Sequence, residues 1–318
     1  MKELKNKKIL ITGGAGFIGS HLCEKLIELG VHVICFDNFF TGKKENILHL
    51  VDNDKFILIE GDANNIDDLK NLFNNHKFDY VFHYAAILGV KRVEENPLLV
   101  MDDIRGIREI CRLAKEQGVK KIVFSSSSEA YGDSAELPLR ENNGMSHSEN
   151  THLYALVKII GERIMKIYND KFDLPTCSLR FFNVFGPRQE SSAYGFVVGI
   201  FIKQIMKNEA PTIMGDGFQT RDFIYIDDNI DLAIKALLNK KTDGEIINIG
   251  VGRQTAIVDL AERLIRVSGK KLKLKFLPER KYEIRYRSPD ISKMHRLLGK
   301  IKDKLDENLQ VTYNSYKK

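Results

Sequence analysis

The sequence predicts an α/β protein: a doubly wound parallel sheet with a smaller C-terminal lobe. Three observations predict it. Short β-branched runs alternate with helical patterns through the first half, and a glycine-rich turn joins the first run to the first helix. Beyond about residue 185 that rhythm loosens into loop-like pieces such as Pro187-Arg188-Gln189 and Gly215-Asp216-Gly217. Strands of this kind alternating with helices indicate a parallel sheet covered on both faces. A length of 318 residues, at roughly 150 residues per unit, suits such a domain with a substantial appendage.

In chain order, Lys8-Ile9-Leu10-Ile11 is the first strand, and Ile18 to Leu29 reads as a helix that Gly30 closes. Val31 to Phe36, Phe56 to Ile59, Tyr80 to His83 and Ile122 to Phe124 continue the strands, with helices near 65–75 and 98–117. Thr176 to Phe182 reads as a sixth strand. The looser remainder suits a lobe laid over the carboxyl ends of the strands, where open α/β sheets bind ligands. No internal repeat or linker stands out.

Hydrophobic residues at 43%, charged residues at 29% and 7 prolines exclude collagen-like, low-complexity and disordered classes. No apolar run approaches the roughly 18 residues of a membrane span. Met1-Lys2-Glu3-Leu4-Lys5 runs straight into the first strand without a signal-peptide pattern, so a cytoplasmic protein is expected. Cys23, Cys35, Cys111 and Cys177 are scattered in apolar contexts without metal-ligand spacing, which reads as buried thiols and no metal site. The net charge is +6, and Arg266 to Lys304 alone holds 14 Lys/Arg against 4 Asp/Glu. Its bases are interleaved with Leu272, Leu274, Phe276, Ile284 and Tyr286. That pattern favours a folded basic face or a phosphate-bearing ligand over nucleic acid.

Thr12-Gly13-Gly14-Ala15-Gly16-Phe17-Ile18-Gly19 lies between the first strand and first helix, and Asp37 ends the second strand. Strand, glycine turn, helix and a later acid make the dinucleotide fingerprint of a Rossmann-type sheet. Gly13 allows the tight turn, Gly16 lets backbone approach a pyrophosphate, and Gly19 lets the helix pack on the sheet. The helix N-terminus offers N–H groups to the phosphates. Asp37 can accept both ribose hydroxyls and repels a 2′-phosphate, which favours NAD over NADP, with Lys43 and Lys44 as a countervailing signal.

Tyr154 and Lys158 stand at i and i+4, on one face of a helix. Upstream, a strand ends in Ser125-Ser126-Ser127-Ser128-Glu129-Ala130-Tyr131-Gly132. An ammonium beside a phenol favours the phenolate, and a serine hydroxyl can orient a substrate alcohol.

With these residues in place, the chain resembles the NAD-dependent sugar-nucleotide epimerase/dehydratase family of extended short-chain dehydrogenases/reductases. The landmarks are TGGAGFIGSHL (12–22), Asp37-Asn38, Gly61-Asp62, VFHYAA (81–86), SSSSEAYG (125–132), YALVK (154–158), LRFFNVFGPRQ (179–189), GDGFQTRDFIYIDD (215–228) and Arg287 to Ile291. The resemblance implies an NAD-binding domain over 1–180 and a mainly sugar-nucleotide-binding lobe over 181–318, with some segments returning to the sheet. It implies that Gly13, Gly16, Phe17, Ile18, Gly19, Asp37, Asn38, Asp62, Ala63 and Ala85 contact NAD. Tyr154 is implied as the base for the sugar 4-hydroxyl, with Lys158 tuning it and holding the nicotinamide ribose, Ser127 beside it, and both Tyr154 and Lys158 in contact with the cofactor. Asn183, Arg221 and Arg287 are implied in gripping the nucleotide diphosphate, with Ser128 near the sugar. Related proteins dimerise through the helices near 98–115 and 154–168. The apolar residues Leu156, Val157, Ile159, Ile160, Ile164 and Ile167 cover more than one helix face, which suits a homodimer.

All members share oxidation at C4, and the fate of the 4-keto sugar decides the net reaction. Epimerisation is the leading reading. Release of the 4-keto sugar is the main alternative, with 4,6-dehydration or uronate decarboxylation using Glu129 behind it. A non-catalytic NAD-binding regulator is the alternative of another class. The Ser128-Glu129 pair resembles GDP-mannose dehydratases and uronate decarboxylases, whereas Ala86 to Val90 resembles epimerases. Three departures stand out. The family's Asn is Asp103, a proline of the distal-lobe loop is Gly199, and the prolines before Tyr154 give way to a polar stretch with His147 and His152 as candidate substrate contacts.

Overall fold

A computed structural model describes residues 2–87, 96–132, 136–143, 153–190, 196–279 and 284–317. The strands of its main sheet are β1 Lys8–Thr12, β2 His32–Asp37, β3 Phe56–Glu60, β4 Tyr80–His83, β5 Lys121–Ser127, β6 Thr176–Phe181 and β11 Glu245–Ile249. They lie in the order β11-β6-β5-β4-β1-β2-β3, and every pairing is parallel. The order reverses between β1 and β4. Open α/β sheets place their ligand crevice at the carboxyl ends beside such a reversal.

Strand alternation sorts the side chains into two cores. Ile9 and Ile11 of β1, Val33 and Cys35 of β2, Phe82 of β4 and Val123 of β5 face helices α1 (Phe17–Glu28), α6 (Ile226–Leu238) and α8 (Ser292–Leu298). Leu10, Ile34, Val81, Ile122 and Phe124 face α2 (Ile66–Asn75), α3 (Asp102–Gln117) and α4 (Leu153–Phe172). Both faces are therefore apolar, as a doubly covered parallel sheet requires. Helix ends follow local chemistry. Asn65 caps α2 by accepting from the N–H groups of Asp67 and Asp68. Gly118 closes α3 at φ +77°, a conformation that glycine takes without strain.

A third core fills the smaller lobe. It joins α5 (Val197–Met206), α7 (Ile257–Ser268) and α9 (Leu305–Ser315) with Phe185, Ile213 and Phe223. Strands β7 (Asn183–Phe185) and β10 (Phe223–Tyr225) pair in parallel, as do β8 (Thr212–Met214) and β13 (Lys275–Leu277), while β9 (Thr220–Arg221) pairs antiparallel with β12 (Thr255–Ala256). The C-terminal half is thus divided: α6, β11 and α8 return to the main sheet, and the rest builds the lobe.

The strand expectations hold to within a few residues, and the sheet gains β11, whose partner β6 lies far back in the chain. One expectation is corrected. Gly199 lies in the first turn of α5 and not in a loop. A Cβ there would stand 2.8 Å from the Glu190 carbonyl oxygen and 3.1 Å from the Tyr316 hydroxyl, so close packing excludes a side chain. Among the described residues, no helix is long and apolar enough to cross a membrane, and no cluster of three His, Cys, Asp or Glu could hold a metal. Cys23, Cys35, Cys111 and Cys177 are all buried free thiols.

Candidate active site

A cleft of about 400 Å³ opens at the carboxyl ends of β1, β2, β4 and β5 and runs under the smaller lobe. The glycine turn forms its floor. A Cβ on Gly13, which has φ +71°, would come within 2.7 Å of the Ala85 nitrogen, and one on Gly19 within 2.1 Å of the Gly13 oxygen. Both positions therefore require glycine. Helix α1 is preceded by Gly16 as its cap, with no side-chain cap bond and no acid in its own first turn, so its N–H groups and partial positive charge are open to the cleft. Thr12 Oγ1 pins the opposite wall, accepting from the N–H groups of Tyr84 and Ala85 at 3.2 Å each.

Asp37 sits beyond the turn. Its carboxylate accepts from Ala15 N at 2.9 Å and Phe39 N at 2.8 Å, and burial raises its pKa. These donors fix the carboxylate while leaving acceptor capacity toward the cleft. A bare floor for a pyrophosphate with a fixed acid one strand away fits a dinucleotide with free ribose hydroxyls. Asn38, Asp62, Ala63, Ala85, Phe17 and Ile18 all line the same space.

At the other end, three consecutive residues of β5 each hold one residue of α4. The Ser125 carbonyl accepts from Lys158 Nζ at 2.7 Å. Ser126 Oγ donates to Glu162 at 2.5 Å, and Ser127 is hydrogen-bonded to Tyr154 through its side chain. Lys158 Nζ stands 5.5 Å from the centroid of the Tyr154 ring. Burial pulls the Lys158 pKa down to about 8, against the opposing pull of Asp103 and Glu162. Burial raises the Tyr154 phenol, the Ser127 hydrogen bond lowers it, and the charges of Glu129 and Asp103 raise it further. Behind these groups, Arg180 makes a two-armed ion pair with Glu162, both bonds at 2.8 Å. A hydroxyl, a phenol and an ammonium in one chain can take a proton from a substrate alcohol and return it.

Ser127 Oγ also accepts from Glu129 N at 3.2 Å, which turns Ser128 and Glu129 into the cleft. Arg287 is buried and puts Nη1 2.9 Å from Glu129 Oε1, at an angle that makes an ion pair without a hydrogen bond. Asn183 lines the cleft and donates to the Asp222 carbonyl at 3.1 Å. Arg221 does not line it: its Nη1 donates to the carbonyls of Thr220 and Ile284 at 2.9 and 2.8 Å. Of the three expected diphosphate contacts, the structure thus brings Asn183 to the cleft, Arg287 to its edge through Glu129, and Arg221 to the lobe's backbone. His147 and His152 lie outside the described residues, as do Leu88 to Val90.

Sequence reasoning missed Arg188. At φ +66° it donates to Glu24 Oε1 at 3.0 Å and to the Asn46 carbonyl at 2.9 Å, and its Nη2 meets His21 Nδ1 at 2.8 Å. It ties the lobe to α1 and to the loop after β2. Its Pro-Arg-Gln context reads as a loop and falls in the 179–189 landmark, but nothing local assigns the arginine a partner. Asp103 was visible as a departure, but its surroundings were not. It accepts from Asn64 Nδ2 at 2.8 Å and Ile87 N at 3.0 Å.

The model of the NAD dependent epimerase/dehydratase family matches residues 9–250. A putative UDP-glucose 4-epimerase of Methanocaldococcus jannaschii is 39% identical over 79% of each chain. A UDP-N-acetyl-alpha-D-glucosaminuronate decarboxylase of Bacillus cytotoxicus is 35% identical over 92% of this chain and 91% of its own. Among solved structures, UDP-glucuronic acid 4-epimerase from Bacillus cereus, in complex with UDP-glucuronic acid and NAD, superposes with a TM-score of 0.88. It is 35% identical and covers 98% of this chain and 99% of its own.

Proposed function

This chain belongs to the NAD-dependent epimerase/dehydratase family, an enzyme family working on nucleotide sugars, and from that premise we propose that it epimerises a UDP-linked sugar at C4. When bound, NAD supplies the acceptor and donor of hydride at that carbon. Gly13, Gly16 and Gly19 would cradle its pyrophosphate on the α1 terminus, and Asp37 would take the adenosine ribose. Asp62 and Ala63 would lie against the adenine. Tyr154 takes the proton of the sugar 4-hydroxyl and returns it when the 4-keto sugar is reduced on its other face. Ser127 orients that hydroxyl. Lys158, anchored on the Ser125 carbonyl, stabilises the phenolate and holds the nicotinamide ribose. Ser128 faces the sugar, and Asn183, Arg221 and Arg287 serve the diphosphate, Arg221 after a turn of its guanidinium.

The choice of net reaction rests on the Glu129–Arg287 ion pair. Dehydration needs a carboxylate free to remove a C5 proton, and here a guanidinium occupies that carboxylate. The same pair favours one second reading, uronate decarboxylation, because an arginine beside the sugar can hold a uronate carboxylate. The similarity to a decarboxylase along most of the chain supports that reading too. Incubating the protein and NAD with UDP-glucose, UDP-N-acetylglucosamine and UDP-glucuronate separates the two by mass spectrometry and NMR. A new isomer of unchanged mass supports epimerisation, and loss of carbon dioxide supports the rival. Met101, Ile160, Ile167 and Phe172 are exposed along α4 and the turn before α3, which supports a homodimer through these helices, to be checked by light scattering.

A further inference from the structure

Arg188 follows β7 and lines the cleft together with Asn38, Phe40, Lys43 and Asn46 of the stretch after β2. Its guanidinium reaches across to that side. Nη1 and Nη2 donate to the two oxygens of Glu24 on α1 at 3.0 and 2.5 Å, and Nη1 also donates to the Asn46 carbonyl at 2.9 Å. His21 fits between lobe and helix: its Nε2 lies 3.0 Å from the Pro187 carbonyl and its Nδ1 2.8 Å from Arg188 Nη2. Burial and the Arg188 charge hold that imidazole neutral, at about 4. One ring nitrogen can therefore donate to the carbonyl while the other accepts from the arginine. Arg188 itself stands at φ +66°, a left-handed conformation that persists in a residue with a side chain only where its surroundings enforce it.

The stretch 38–47 is what these contacts hold. It is also tied to the glycine turn, because Asn46 Nδ2 and Lys43 N donate to the Ala15 carbonyl at 2.9 and 3.0 Å. Ala15 N in turn donates to Asp37, against which Gly42 packs. The glycine turn, the acid that ends β2 and the stretch beyond it are thus bound into one ring, and the smaller lobe contributes Arg188 to it. Resting on the placement of NAD between the glycine turn and Asp37 proposed for this cleft, we propose that Arg188 is a positioning residue that clasps the stretch 38–47 over the cofactor and so sets how slowly NAD leaves. Release requires that stretch to lift away from the turn. Lifting it breaks the charge-assisted bond from Arg188 to the Asn46 carbonyl, and Glu24 holds the guanidinium so that it does not follow.

The test is the rate at which NADH leaves the loaded protein, read by stopped-flow fluorescence on mixing with excess NAD. Arg188→Met is expected to speed release by about ten- to a hundredfold, the scale of one lost charge-assisted hydrogen bond. Glu24→Gln leaves the arginine in place but loosens its anchor; it is expected to speed release less, and it serves should Arg188→Met fold poorly. Arg263→Met breaks another ion pair of the lobe, with Asp306, and is expected to leave release unchanged. Release at the wild-type rate in Arg188→Met, or in Glu24→Gln where the first variant does not fold, overturns the proposal. So does an equal acceleration in Arg263→Met, which would make the effect a general loosening of the lobe. Gly13→Val keeps the two readings separable: wild-type affinity for NADH there sinks the placement of the cofactor, whereas the release rates judge Arg188 alone.

Discussion

Arg287 Nη1 and Glu129 Oε1 face each other at 2.9 Å at the edge of the cleft, with the arginine 3% and the carboxylate 42% exposed at the side chain. The arginine cannot withdraw to water, so the more exposed glutamate is the partner that can move. Under the 4-epimerase reading, Glu129→Gln is expected to keep UDP-glucose turnover within about tenfold of wild type. Arg287→Met is expected to raise KM by tens of fold, the size of one lost charge-assisted hydrogen bond, roughly 1.5–3 kcal/mol. Steady-state kinetics on both variants checks this, and a collapse of turnover in Glu129→Gln would make Glu129 a proton carrier.

Tyr154 is the expected base, and removing its hydroxyl tests that with little change of shape. Tyr154→Phe is expected to lower turnover by about 10²–10⁴-fold and leave NADH affinity within a few-fold, because the glycine turn and Asp37 are untouched. Single-turnover kinetics and NADH fluorescence titration measure the two quantities on one preparation.

Asp37 predicts cofactor choice. Its carboxylate is fixed by Ala15 N and Phe39 N, and a Cβ on Gly42 would stand 2.7 Å from Oδ1, so the loop closes tightly round it. Asp37→Asn removes the charge and keeps an acceptor. The preference for NADH over NADPH is expected to fall by about tenfold, near 1.4 kcal/mol, in parallel titrations of the two nucleotides. An unchanged ratio would place discrimination elsewhere, for instance at Lys43, which also lines the cleft.

Asp222 predicts a pH-dependent stability. It accepts from the N–H groups of Val251, Gly252 and Arg253 at 2.8, 2.6 and 2.9 Å, and burial pushes its pKa up to about 6 from 3.8. The folded value lies above the unfolded one, so ionisation weakens the native state, fully so above pH 6. That penalty fades as pH falls from about 6 toward 4. Asp222→Asn leaves some of the three donors unmatched and is expected to cost about 1–3 kcal/mol at pH 7. The gap to wild type should widen at pH 5, where wild type has regained part of its penalty. Urea unfolding midpoints at the two pH values decide.

The parts legible in the sequence are those set by local patterns. β1 to β6 declare themselves through short apolar runs, and the glycine turn through the spacing of Gly13, Gly16 and Gly19 against Asp37. Tyr154 and Lys158 are readable because helical spacing places them together. What was not legible depends on contacts between distant residues. β11 is one short apolar run whose partner lies dozens of residues away. Arg180 and Glu162 read as ordinary charges, yet both are almost fully buried, and only the packed fold shows that each neutralises the other. Asp103 was visible as an odd residue, while the loops it ties belong to other elements. Arg221 shows the converse: its motif was plain, and the lobe's own carbonyls take up its guanidinium.

The three successive contacts from Ser125, Ser126 and Ser127 to Lys158, Glu162 and Tyr154 bear on attempts to move this chemistry to another scaffold. Two use a hydroxyl and one uses a main-chain oxygen, so copying three side chains onto a new backbone would leave the ammonium without its anchor. Shifting the strand by one residue against the helix would exchange every partner at once. The smallest portable piece is therefore the strand docked on its helix with Arg180 behind them, a block of architecture that must travel whole.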